Sequence, residues 1–315
     1  MFQPNDIPTS VVPVLHEVDG PPIKPVTPKE IARTVKKMKP RKAPGSDLIT
    51  SGMVAQCPKK VFVFLTYIFN ASLRLSYFPL AWKNAKIILL PKPGKPSDVP
   101  SSYRPISLLS TISKLFEKLI HSRLLALVEN LGIIPPQQFG FRSKHSTLEQ
   151  VHRVTNQIRN SLEAKEFCPA VFLDVQQAFD RVWLPGLLHK VSEYLPTSFT
   201  GLLRSYLSTR TFTVYYGEAQ SASQATAAGV PQGSVLGPLL YVLYTADIPI
   251  TADSTIATFA DDTAILSSHV NPDIAAAQLQ TAVSRISVWM RQWKIQVNTA
   301  KSVLTVFTHY AAALH

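Results

Sequence analysis

Two adjacent aspartates, Asp261 and Asp262, interrupt an apolar run that reads Thr258-Phe259-Ala260-Asp261-Asp262-Thr263-Ala264-Ile265-Leu266. β-Branched and aromatic residues flank the pair, which predicts two short strands joined at a tight turn with Asp-Asp at the turn. Two ionised carboxylates near a core are costly unless something neutralises them. A divalent cation is the usual agent. An oxygen-only ligand set suits Mg²⁺, with Mn²⁺ as the alternative. Asp is also an ordinary turn residue. The pair becomes specific only with a further carboxylate and a substrate-positioning loop upstream.

Both are present. Ala170 to Val175 is a strand-like run that carries Asp174 near its end, an expensive placement that marks a functional candidate. Gln177 to Trp183 then reads as helical, and Asp180 is expected to pair with Arg181 or to cap. Ala228-Gly229-Val230-Pro231-Gln232-Gly233-Ser234 is a stiff, glycine-bounded loop opening a helix predicted from Val235 to about Asp247. Helix N-termini offer free N–H groups, and glycine lets a ligand approach the backbone. Asn298 to Lys301 is a late turn holding a lysine. In this order these are the parts of two-metal phosphoryl transfer. Two Mg²⁺ about 4 Å apart activate a primer 3′-hydroxyl and stabilise the leaving pyrophosphate. Their charge requires carboxylates from more than one element, here Asp174 and Asp261 with Asp262 adjacent.

The elements that must position these groups follow from periodicity. Residues 1–26, rich in Pro and Val, read as an extended lead-in. Thr27-Pro28-Lys29-Glu30 is a capping-box pattern that starts a helix over about 27–39. A second helix follows Pro58, with Val61, Phe62, Leu65, Ile68, Phe69 and Leu73 on one apolar face. Ile87 to Leu90 is a buried strand candidate. Lys92 and Lys95 fall in the loop after it, and Arg104 in or beside a loop where phosphate could be met. A long helix over about 109–130 turns Ile112, Phe116, Leu119, Ile120 and Leu127 inward and stops at Gly132. Phe139, Phe141, Arg142 and Lys144 interleave rings and cations in a way that suits a nucleic-acid strand. A helix enters near Thr147, and Leu187, Leu188, Val191 and Tyr194 mark another. Arg204 to Tyr216 suggests a hairpin or an irregular segment with strand character. Asn271-Pro272 starts a helix through Trp293, and Ser302 to Phe307 is a last strand.

The chain has 315 residues, 46% of them hydrophobic, enough for a sizeable core. Its two cysteines, Cys57 and Cys168, exclude a disulfide framework and a cysteine-based zinc module. No apolar run is long enough to span a bilayer, so no membrane partner is expected. The N-terminus does not read as a signal peptide. The net charge of +12 is uneven: residues 1–150 hold 21 Lys and Arg against 9 Asp and Glu, and residues 151–315 hold 11 against 11. Such asymmetry points to a polyanionic partner. It also marks the one visible boundary, near residue 150.

Asp174 with Phe179, the Gly229–Ser234 loop and Phe259-Ala260-Asp261-Asp262 resemble the palm motifs of reverse transcriptases. Lys42 to Asp47, Ser102-Tyr103-Arg104-Pro105-Ile106-Ser107, Gln138-Phe139-Gly140-Phe141-Arg142 and Asn298 to Lys301 narrow the resemblance to non-LTR (LINE-type) retrotransposon polymerases of the jockey-like group. It covers about residues 27–308. It implies an α+β right-hand polymerase fold, with a small antiparallel palm sheet flanked by helices. Residues 27–150 would form basic fingers and 151–315 a palm, within a reverse transcriptase domain of roughly 75–315. The implied reaction is RNA-directed DNA synthesis with RNA template, DNA primer and dNTPs. Asp174 and Asp261 would ligate the metals, with Asp262 in or beside the shell. Phe179 matches the family's steric gate against a 2′-hydroxyl. Gln232 and Gly233 would line the nucleotide pocket, and Arg104 and Lys92 would hold the triphosphate. Lys301 matches the lysine proposed to protonate pyrophosphate. The family works in the cytoplasm and nucleus; oligomeric state is not readable.

Two departures stand out. Gln176 and Gln177 occupy positions where an acidic-basic pair is more usual. The family's thumb would follow the last palm strand, yet the chain ends at His315, which suggests a fragment of a longer polyprotein. Two other readings compete: an inactive relic or RNA-binding palm, and an unrelated metal-dependent nuclease.

Overall fold

The computed structural model describes residues 3–6, 14–99 and 102–309. The parts of the expected extended lead-in at 1–2 and 7–13 lie outside these residues. Residues 14–26 run without helix or strand and bury Ile23 and Val26. Helix α1 (Pro28–Lys36) starts as its sequence predicts: the Thr27 hydroxyl accepts from the Glu30 N–H, with Pro28 in the first turn. It ends three residues short of the expected end. Helix α2 (Ser51–Ala55), capped by Thr50, is a short element that periodicity did not show. Helix α3 (Lys59–Arg74) buries Leu65, Phe69 and Leu73 on the predicted face.

Strand β1 (Asn84–Pro91) pairs antiparallel with β2 (Tyr103–Leu108), so Arg104 stands on a strand, exposed, beside the loop rather than in it. Helix α4 (Thr111–Asn130) buries Phe116, Leu119 and Ile120, and Ile112 and Leu127 pack at the core's edge. It ends at Gly132, whose φ of 63° allows the N–H groups of Gly132 and Ile133 to cap Glu129 and Val128. Helix α5 (Thr147–Glu163) opens with a full capping box between Ser146 and Glu149. Strand β3 (Cys168–Leu173), helix α6 (Leu184–Tyr194) and helix α7 (Thr197–Leu207) follow. The helical reading of Gln177 to Trp183 is corrected: residues 176–181 form turns around Gln177, whose φ is 50°. The reading of Arg204 to Tyr216 is corrected too. Its first residues belong to α7, and strand β4 (Thr211–Tyr216) starts only after a break at Thr209.

β4 pairs parallel with β1, antiparallel with β5 (Ala219–Gln220) and antiparallel with β6 (Gln224–Ala225). Helix α8 (Gly237–Tyr244) is shorter at both ends than expected. Strands β7 (Thr255–Phe259) and β8 (Asp262–Leu266) form the predicted hairpin. Helix α9 (Pro272–Gln292), capped by Asn271, and strand β9 (Val303–Phe307) complete the elements. No helix among the described residues is long and apolar enough to cross a membrane.

Two sheets result. One has the order β2-β1-β4-β5, with β6 also on β4; the other has the order β7-β8-β3-β9 and is antiparallel throughout. The α+β class and the small antiparallel sheet flanked by helices are as expected. Side chains alternate across β3. Val171 and Leu173 pack against the main core, which runs from Ile23 to Ile295 and is shared by residues on both sides of position 150. Cys168 and Ala170 face the other way, where Ala257 and Ala264 join them. Those small side chains let Val154 and Ile158 of α5 close over that face.

Candidate active site

The antiparallel sheet gathers the aspartates at one end. Leu173 of β3 pairs with Thr263 of β8. The next residues outward, Asp174 and Asp262, therefore share that end. Phe259 pairs with Asp262, which leaves Ala260 and Asp261 as the two-residue turn of the hairpin. Ala260 takes the positive φ (58°) such a turn requires.

Gln138 holds this turn. Its Oε1 accepts from the N–H groups of Gly140 (2.7 Å) and Ala260 (3.0 Å), and its Nε2 donates to the Ala260 carbonyl (3.3 Å). The main chain of Gln137 to Phe139 also bonds Thr258 in both directions. A Cβ on Gly140 would lie 2.1 Å from the Ala260 nitrogen, so the contact admits only glycine. The Gln138–Arg142 segment thus braces the hairpin turn. Arg142 is spent on the carbonyls of Pro135 and Gln138, and the Phe139 ring packs on His145. Phe141 is the ring left exposed.

Electrostatics follow from crowding. Burial raises the pKa of Asp261, and the neighbouring Asp262 and Asp174 raise it further, with Lys301 opposing. Asp262 is raised by burial and then by Asp174. Lys301 Nζ stands 3.6 Å from Asp174 Oδ2. The Asp174 backbone is tied to the late turn, its carbonyl accepting from Asn298 (2.7 Å) and its N–H donating to Ser302 Oγ (3.2 Å). The three carboxylates are not gathered within 4.8 Å of one another, as a cage for one ion would be. Two ions about 4 Å apart can be shared across a wider set. Partly desolvated, mutually repelling carboxylates with only oxygen donors fit divalent cations.

Asp174 and Asp261 open into a cleft of about 410 Å³ that is also lined by Lys92, Arg104, Phe179, Gln232 and Lys301. The structure therefore brings together most of the residues singled out from sequence. Asp262 lines a neighbouring cleft on the sheet face, which shares Asp174 and Lys301 with the first. Gly233 stands apart from both walls. Its φ is 113°, and a Cβ there would lie 2.6 Å from the Ser107 carbonyl oxygen. It serves the loop's close approach to β2, and Ser107 N–H donates to the adjacent Gln232 carbonyl (3.0 Å).

Phe179 is fixed from two sides. Its carbonyl accepts from Val230 N–H (2.8 Å), and its ring stacks on Tyr241 of α8 at 4.9 Å. Asp180 departs from expectation. Arg181 bonds Gln177 Oε1 and Asn5 Oδ1, and Asp180 Oδ1 has no hydrogen-bond partner among the described residues. Burial pushes the Asp180 carboxyl up to about 6.

Sequence reasoning missed one residue that organises the Gly229–Ser234 loop. Glu117 of α4 is fully buried. Its Oε2 accepts from Val235 N–H (2.8 Å), Leu236 N–H (3.2 Å) and the Tyr206 hydroxyl (3.3 Å); its Oε1 accepts from Ser113 (3.2 Å). The signal was a glutamate at an inward position between Phe116 and Ile120, where a charge is expensive.

The comparisons agree with this geometry. The family described as reverse transcriptase (RNA-dependent DNA polymerase) matches residues 90–311. The chain is 46% identical over 292 residues to the probable RNA-directed DNA polymerase from transposon X-element of Drosophila melanogaster, covering 91% of this chain and 32% of that protein. It is 41% identical over 297 residues to the RNA-directed DNA polymerase from mobile element jockey of the same species, covering 91% and 32%. The chain thus spans about a third of the length of these relatives. Among solved structures it is similar to apo telomerase from Candida tropicalis truncated from the C-terminal domain. That match has a TM-score of 0.52 at 15% identity and covers 86% of this chain and 59% of that one. The likeness supports the right-hand arrangement of fingers and palm. A family match over residues 90–311, with the aspartates of β3 and the β7–β8 hairpin at one sheet end, shows that the chain belongs to the reverse transcriptases.

Proposed function

We propose that this chain forms the fingers and palm of an RNA-directed DNA polymerase of the jockey-like non-LTR kind, adding dNTPs to a DNA primer on an RNA template. One observation carries the reading: Asp174 and Asp261 meet in a cleft that is also lined by Phe179, Gln232, Arg104 and Lys92. Asp174, Asp261 and Asp262 would hold divalent ions, Mg²⁺ for an all-oxygen set, or Mn²⁺. When bound, the ions supply activation of the primer 3′-hydroxyl and neutralise charge on the leaving pyrophosphate.

The remaining roles belong to the protein. Arg104 and Lys92 bind the triphosphate as fixed cations. Phe179, stacked on Tyr241, excludes a 2′-hydroxyl by occupying the space beneath the sugar. Gln232, held by Ser107, lines the nucleotide's side of the cleft. Lys301 is poised to give a proton to pyrophosphate; its attraction to Asp174 weakens once that carboxylate takes a cation. The basic excess in residues 1–150 serves template phosphates.

Purified protein, alone and with a polymerase thumb appended after the last strand, is tested for extension of a DNA primer on RNA with Mg²⁺ or Mn²⁺. Template-dependent extension with dNTPs supports the reading. Salt-sensitive RNA binding without extension in either form, or cleavage without triphosphates, overturns it.

A further inference from the structure

Away from the aspartate cleft, residues 14–18 are strapped to helices α6 and α7. Val18 O accepts from both the Thr197 N–H (2.9 Å) and its hydroxyl (3.0 Å). His16 N–H donates to Ser192 Oγ (2.9 Å), which itself donates to the His189 carbonyl (2.7 Å). These bonds set the His16 side chain over one face of α6. His189 and Glu193 stand there one helical turn apart.

Among the described residues, His16, His189 and Glu193 are the one group of three such side chains whose ligand atoms lie within 4.8 Å of one another. The chemistry of His189 sharpens this. Its Nδ1 is 2.6 Å from the Val14 carbonyl. A carbonyl can only accept, so Nδ1 carries the proton. In the neutral ring Nε2 then presents its lone pair. Nε2 lies 3.8 Å from Glu193 Oε1, and the His16 ring is centred 5.2 Å from the His189 ring. The imidazole is also stacked on Trp293, with ring centres 6.0 Å apart. A backbone carbonyl fixing the tautomer and a packed ring fixing the orientation are what a metal-bound histidine needs outside its coordination sphere. Lys190, the nearest cation along α6, turns away into a cage of Trp289, Trp293 and Tyr244 and pairs with Asp247.

We propose that His16, His189 and Glu193 form a second metal site, for Zn²⁺ or a similar borderline divalent ion, that clips residues 14–18 to helix α6. Two imidazole nitrogens and one carboxylate oxygen suit zinc with water in the fourth position, and suit Mg²⁺ poorly. The site shares no residue with the aspartate cleft and stands whether or not the polymerase reading does. Its role is structural: a bound ion joins a segment without helix or strand to the helix that packs against α8.

The test is a calorimetric titration of the whole protein with Zn²⁺, in millimolar Mg²⁺ to occupy all-oxygen sites. His16→Gln and Glu193→Gln are titrated alongside. Both side chains are exposed, so neither variant should impair folding, which circular dichroism checks. The proposal expects one equivalent bound at micromolar Zn²⁺, a zinc-dependent rise in unfolding temperature, and at least a tenfold loss of affinity in each variant. Co²⁺ in place of Zn²⁺ should show a visible absorption band that His16→Gln alters. No binding at micromolar Zn²⁺, or variants that bind as the parent does, would overturn it.

Discussion

Glu117 is the support on which the Gly229–Ser234 loop rests, and its replacement by glutamine tests that reasoning. The substitution preserves volume but changes one carboxylate oxygen into an NH₂. Four donors converge on the present side chain: two backbone N–H groups and two hydroxyls. An amide has one acceptor oxygen, so if it stays on the N–H pair of Val235 and Leu236 the NH₂ faces Ser113, whose hydroxyl must change from donor to acceptor, and every remaining bond loses its charged acceptor. Arg210 loses its anionic neighbour as well, and its Nη2 already has no hydrogen-bond partner among the described residues. A hydrogen bond to a charged acceptor contributes about 1.5–3 kcal/mol, and an unsatisfied buried donor costs a similar amount. Relief of the buried charge offsets part of this, since burial raises the Glu117 pKa. The net expectation is a loss of about 2–4 kcal/mol, or roughly 3–6 °C in melting temperature for a chain of this size. Primer extension should lose nucleotide affinity too, because the loop that carries Gln232 begins to shift. Thermal unfolding and steady-state kinetics are the assays. A variant that melts within a degree of the parent, with unchanged KM for dNTP, would refute the reasoning.

Other consequences are narrower. The Asp180 carboxyl is pushed from 3.8 up to about 6 by burial, so its contribution to stability is fully present below its unfolded value and is lost as pH rises through 6. Asp180→Asn should therefore stabilise the protein at pH 7 by up to about 3 kcal/mol and flatten the decline of melting temperature between about pH 4 and 6, read by calorimetry. Phe179→Val should raise incorporation of ribonucleotides relative to deoxynucleotides by at least tenfold in single-nucleotide extension; an unchanged ratio would remove Phe179 from the sugar's path. Lys301→Ala should leave unfolding within about 0.5 kcal/mol, because its pair with Asp174 is largely solvated. Any effect should appear in kcat.

The parts of the site that were legible in sequence are those where chemistry and local pattern coincide. Asp174 ends a β-rich run, Asp261 and Asp262 break another, and strand alternation then obliges both to reach one sheet end. Helices with a long apolar period, such as α3, α4 and α9, were equally plain. What was hidden depends on contacts distant in sequence. Gln138 reads as a loop residue until the Ala260 turn arrives 122 positions later. Glu117 reads as a misplaced charge until the N–H groups of Val235 and Leu236 turn toward it. Helix α7 lies between Pro196 and a strand; the sequence shows no helix there, and its last residues, Arg204 to Leu207, read as part of a strand-like segment. The turn at Gln177 to Arg181 looked helical because its composition is helical. Its course is set instead by Gly229 and Val230, which take the carbonyls of Val182 and Phe179.

The central claim is that three aspartates from two elements form one metal-dependent catalytic centre. Asp174→Asn and Asp261→Asn keep shape and remove charge, so RNA-templated primer extension by each, set beside its melting temperature, tests the claim directly. Extension should fall at least about a thousandfold, roughly 4 kcal/mol of barrier. The melting temperature should hold or rise as the buried repulsion is relieved. Extension at the parent's rate by either variant would contradict the account.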